Sequence, residues 1–247
     1  MPRFFLSASN IADGIVTICG DDALHISRSL RMRRGEEITV CDMQKIEYRC
    51  VLEDFTADTV TARILASKPS DTEPPCPIRL YQALPKSDKL DVIIQKAVES
   101  GASAIIPFES ERCVVRADDP SRESKKLERR RRIALEAAKQ CGRGVVPEVS
   151  LPMSFSQMLK EASGCELKLF FYEGDGTVSL RGLLEGIDGQ PESIAIIVGA
   201  EGGFSLREVE TAREASFALC GLGQRILRCE TASGFALACL AYRFELN

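Results

Sequence analysis

Eleven residues, SKPSDTEPPCP at 67–77, hold four prolines and almost no apolar pattern, and they split the 247-residue chain into two stretches with different rhythms. Proline fixes φ and removes a backbone donor, so neither a helix nor a central strand runs easily through such a stretch, and a linker is predicted at 71–77. Before it, short alternating runs predict strands at 15–19, 37–41, 48–55 and 59–66, with a helix at 22–30 behind an Asp cap. That pattern describes a small β-barrel over 1–70. After it the chain alternates: strands at 78–84, 104–108, 168–171 and 194–198, and helices at 89–100, 122–141, 154–162, 180–184 and 206–215. Such alternation predicts one α/β domain over 78–247, with a parallel sheet and crossover helices. The last helix, 232–244, has no polar face over its first two turns, which predicts burial in the domain or against a second chain.

Charge and reactive side chains narrow the function classes. The net charge of -4 argues against a general nucleic-acid binder, yet residues 112–143 carry +6 and the remainder -10. A second basic cluster, HISRSLRMRR at 25–34, places Arg28, Arg31, Arg33 and Arg34 within seven residues. Ten cysteines without a CxxC pair, and a single histidine, His25, speak against zinc or an iron–sulfur cluster. The cysteines read as small core residues of a reduced, cytoplasmic protein. No run approaches a membrane span, and MPRFFLSASN lacks the layout of a signal peptide.

The chemistry concentrates at GAEGGFSLREVE, 199–210, directly after the apolar run IAIIV. Strand, glycine loop and helix is a ligand-site layout in a parallel sheet, and Ser205 with Glu208 forms a capping box for the helix. The spacing is neither G-x-G-x-x-G nor a P-loop, and Glu201 would repel a pyrophosphate. A ligand that carries positive charge or is read through main-chain hydrogen bonds fits better. A second loop, LGQRILRCETA at 222–232, repeats the theme.

These two loops, with PRFF (2–5), HISRSLRMRRGE (25–36), ALPKSDKLDVIIQKAVESGASAIIPFESERCVV (83–115) and RIALEAAKQCGRGVVPEV (132–149), resemble the RsmE family of ribosomal RNA methyltransferases in the SPOUT class. The family usually has proline at Ala200, proline or lysine at Gln224, threonine at Cys229 and an aromatic near Arg130. The resemblance implies a SPOUT trefoil-knot methyltransferase domain preceded by a PUA-like barrel, acting as a homodimer. It implies S-adenosylmethionine bound among Phe171, Glu173, Val198, Gly199, Gly202, Gly203, Leu222, Gly223, Ile226, Leu227 and Arg228, with adenine held by the last loop.

The implied reaction methylates N3 of a specific uridine of 16S rRNA near the decoding site, on the assembled 30S subunit and without a metal. The alternatives are a SPOUT enzyme with another RNA target and a non-enzymatic RNA-binding protein. N3 is a weak acid, so the site must align it with the methyl group and stabilise the charge left when its proton departs. Arg112 is the first candidate to stabilise the uracil oxyanion. Glu201 or Glu230 either accepts the proton or holds an arginine, and Glu230 also reads as a helix-start residue. Arg3, His25, Arg28, Arg31, Arg34, Arg129, Arg132 and Arg143 are the candidate RNA contacts.

Overall fold

The structure, a computed structural model, describes residues 1–117 and 119–246. Asp118, counted above in the basic segment, lies outside the described residues. The chain forms two compact units, one of Met1–Glu73 with Ala138–Val146, the other of Pro74–Ala137 with the chain from Pro147 onward.

The first unit is a six-stranded curled sheet. Its strands are β1 (Arg3–Phe5), β2 (Ile11–Ala12), β3 (Ile15–Cys19), β4 (Glu37–Cys41), β5 (Ile46–Phe55) and β6 (Thr59–Pro69), in the order β1-β4-β5-β6-β3-β2. Only β1 and β4 pair in parallel. Alternation in β3 and β4 sends Val16, Ile18, Ile38 and Val40 inward to a core with Phe4, Ile26 and Leu52, all at most 1% exposed. Two register shifts in the β5–β6 ladder bend the longest hairpin around that core. The predicted helix at 22–30 begins earlier and is not regular: α1 (Gly20–Leu24) passes into a π-helical turn at His25–Ser29. No side chain caps it, and Asp21 and Asp22 instead sit in its first turn, where the helix dipole favours acids. β6 continues to Pro69, into the proline-rich stretch, because a proline at a strand terminus removes no needed donor.

The second unit is an eight-stranded parallel sheet. Its strands are β7 (Ile78–Ala83), β8 (Ala104–Glu109), β9 (Glu148–Val149), β10 (Met153–Ser154), β11 (Leu167–Phe171), β12 (Val178–Ser179), β13 (Ile194–Val198) and β14 (Ala218–Gly221). The order is β10-β8-β7-β13-β11-β14-β12, with β9 beside β8. The helices are α2 (Lys89–Glu99), α3 (Pro120–Cys141), α4 (Phe155–Ala162), α5 (Leu180–Glu185), α6 (Leu206–Glu214) and α7 (Cys229–Phe244). All five residues of β13 are buried, as a strand covered on both faces requires. Gly101 ends α2 with a φ of 90°, the left-handed conformation glycine adopts without strain. Among the described residues no helix is long and apolar enough to cross a membrane.

Candidate functional site

The strands β13, β11 and β14 lie side by side and run parallel, so their carboxyl ends open at one edge of the sheet. The three segments that leave them enclose a cavity of about 750 Å³. Phe171 and Glu173 line it from behind β11, and Val198, Gly199, Gly202 and Gly203 from behind β13. Leu222, Gly223, Ile226, Leu227 and Arg228 line it from behind β14. All eleven positions singled out in the two loops and after β11 thus face one space. Ile226 stands at its rim and is 83% exposed.

The first glycine loop is suspended between fixed points. Phe204 is buried at 3% exposure and packs 4.2 Å from Phe170, ring centroid to centroid, in a cluster with Phe108 and Phe155. A side chain at Gly199 would meet the Phe204 ring at 3.1 Å, and one at Gly202 would meet the Arg112 carbonyl oxygen at 3.0 Å. Gly203 has a φ of 62° and open space where a Cβ would stand. Gln82, fully buried at the end of β7, donates from Nε2 to the Gly199 carbonyl (3.1 Å) and fixes the start of the loop. The pattern of β7 gave no reason to separate Gln82 from a core position.

The polar groups form a charged cluster. Lys89, at the start of α2, places Nζ 2.8 Å from Glu201 Oε1 and 3.5 Å from Glu230 Oε2, so one ammonium joins the first glycine loop to the start of α7. Burial pushes the Glu201 carboxyl up, but hydrogen bonds from Lys89 and backbone N–H groups outweigh it and hold it below the ordinary carboxylate range. The same opposition, with the backbone, the Cys229 thiol and Lys89 on the lowering side, holds Glu230 low. The hydrogen bond to Glu201 raises Lys89. Burial pushes the Cys229 thiol up to about 12, so it stays protonated and donates to Glu230 Oε2 at 3.2 Å. Glu230 does not itself line the cavity; Lys89, Arg112 and Glu201 do. The carboxylates hold a lysine, which sequence reading did not single out because its partners lie 112 and 141 positions away.

The candidate RNA contacts divide sharply. In the first unit, His25 and Arg28 of the π-helical turn and Arg31 and Arg34 of the loop before β4 are exposed. Arg3 is turned inward to Glu47 (2.8 Å), and Arg143 is withdrawn altogether. Its guanidinium, 5% exposed, grips Glu73 through two bonds of 2.6 and 2.9 Å, and Glu73 also accepts from the backbone of Gly144 and Val145. This corrects Arg143 as a surface contact: it is a latch within the first unit. In α3, Arg129 pairs with Asp91 and Asp88, Arg130 lies half-buried against Glu123, and Arg131 donates to the Val149 carbonyl. Arg132 is exposed. Within the run only Arg130 is withdrawn, while Arg129 and Arg131 stay exposed beside their partners, so the run both fastens the helix and presents a basic face.

This architecture has known relatives. The RNA methyltransferase domain family matches residues 72–241, and the RNA methyltransferase PUA domain family matches 18–65. The two parts define an RNA methyltransferase with an N-terminal PUA-like domain. The ribosomal RNA small subunit methyltransferase E of Bacillus subtilis is 37% identical over all of this chain and 98% of its own length. Among solved structures, a ribosomal RNA small subunit methyltransferase E from Neisseria gonorrhoeae bound to S-adenosylmethionine superposes with a TM-score of 0.85, at 33% identity over 98% of this chain and 97% of that one. A Legionella pneumophila methyltransferase in complex with the same cofactor gives 0.84 at 30% identity, over 97% and 96%. The chain belongs to the ribosomal RNA small subunit methyltransferase E family.

Proposed function

We propose that this enzyme transfers the methyl group of S-adenosylmethionine to N3 of a specific uridine in 16S rRNA, near the decoding site of the assembled 30S subunit. The observation that carries the reading is the single cavity where two glycine loops, Lys89, Glu201 and Arg112 converge. The cavity suits the cofactor: Gly203 and Gly223 leave open space where a side chain would intrude, so loop backbone groups can come close to a ligand. Leu222 and Leu227 would pack around the adenine, with loop backbone groups reading its edge. The bound cofactor supplies an electrophilic methyl carbon.

The protein's part is alignment and charge. Arg112 stabilises the uracil oxygen that becomes anionic as N3 loses its proton. Glu201, held ionised, is in the right state to receive a proton but is a weak base, so stabilisation of the anion by Arg112 carries more of the barrier. The exposed arginines of the first unit, with Arg129 and Arg132 of α3, would engage phosphates of folded rRNA. We further infer that the chain between β13 and the C-terminus is threaded as a trefoil knot, that the domains divide near residues 70 and 78, and that the enzyme works as a homodimer. The test is mass spectrometry of 16S rRNA nucleosides from a strain lacking the gene. Loss of 3-methyluridine, restored by the wild-type gene and not by Arg112→Ala, is the expected result; loss of a different modified nucleoside would favour another RNA target.

A further inference from the structure

Glu208 does more than close a helix cap. It is buried at 5% exposure, and its two carboxylate oxygens accept from two different segments. Oε2 takes the Ser205 backbone N–H at 2.9 Å, which completes the capping box of α6. Oε1 takes the Glu111 backbone N–H at 2.7 Å, across 97 positions of sequence. A capping box needs only the first bond. The second falls on the residue preceding Arg112, in a turn closed by the Cys113 N–H on the Ser110 carbonyl (3.1 Å).

The same two segments meet again one residue on. Gly202 packs so closely on Arg112 that an added Cβ would lie 3.0 Å from its carbonyl oxygen, and Arg112 Nη1 donates to the Gly202 carbonyl at 3.3 Å. The turn is therefore pinned to the glycine loop and its helix at two consecutive residues, and the helix dipole favours the carboxylate that makes the first pin. An exposed arginine stabilises charge in a transition state only if its backbone is fixed beforehand. We propose that Glu208 is a positioning residue that sets Arg112 against the cavity, through the Glu111 backbone N–H. The proposal rests on the reading of Arg112 as the group that stabilises the uracil anion.

The experiment is a double-mutant cycle between Glu208→Gln and Arg112→Ala, with methyl transfer to small-subunit rRNA, cofactor affinity by calorimetry and amide exchange all measured. Glutamine keeps the shape and one acceptor but cannot serve both N–H groups. Glu208→Gln is expected to lower kcat about 10–100-fold, the scale of a small misplacement, while leaving cofactor affinity nearly unchanged. The Glu111 amide should exchange faster. In the Arg112→Ala background the same substitution should cost less than about twofold, because coupled residues are not additive. Ser205→Ala, which weakens the cap but keeps both carboxylate bonds, should lower the melting temperature and leave kcat alone. Independent, multiplicative losses or an unchanged Glu111 amide would overturn the positioning role. Full activity of Arg112→Ala would remove the reading of Arg112 itself, and this proposal with it.

Discussion

Lys89 illustrates how a single ammonium sets the working range of a site. Glu201 and Glu230 are held below the ordinary carboxylate range, so what they contribute is present above the unfolded glutamate value and is lost as pH falls through the lowered folded one. Lys89 is raised, and its contribution is lost only as pH rises through its folded value. Replacing Lys89 with methionine lets both carboxyls drift upward. The acid limb of cofactor affinity should then move to higher pH, which calorimetry over a pH series would read; an unmoved limb would mean the cluster is incidental. Gly203 offers a sharper test. With a φ of 62° and empty space at its Cβ position, Gly203→Val both strains the backbone, by roughly 1–3 kcal/mol, and projects methyl groups into the cavity. Cofactor binding should vanish from the calorimetric trace while circular dichroism still reports a folded chain.

Elements were legible in the sequence wherever the cause was local. The capping box of α6, the fully apolar β13 and the stop at Gly101 are each decided within a few residues, and each stands where the pattern put it. Arg143, Lys89 and Gln82 were not legible in that way, because burial and partners 70 or more positions distant decide their roles. The irregular turn at His25–Ser29 has no periodicity signal either. The helix α7 is a case between the two. It was expected to carry surplus apolar surface, and its outer stripe is indeed Phe235 (41% exposed), Ala238 and Tyr242 (74% exposed), spaced for one face. If that stripe meets a second copy, Tyr242→Glu should convert the protein from dimer to monomer in multi-angle light scattering at micromolar concentration. A wild-type monomer under the same conditions would refute the dimer.

For the molecule as a whole, charge rather than shape should govern encounter with rRNA. Arg28 and Arg31 are exposed on the first unit, and replacing both with alanine should reduce the salt slope of rRNA binding by about 2 and weaken binding uniformly across sequences. Cofactor affinity should not change, since neither residue lines the cavity. Filter binding across a salt series reads the slope, and an unchanged slope would remove the first unit from the RNA contact. The parallel order of the large sheet has a consequence for biosynthesis. Of the three neighbouring strands that feed the cavity, β14 is the last to be synthesised, and the loop that follows it supplies five of the eleven positions singled out there. A nascent chain still short of Arg228 can build most of its sheet and yet has no closed ligand chamber, so competence to bind arrives late and all at once, after the slow non-local pairings are made.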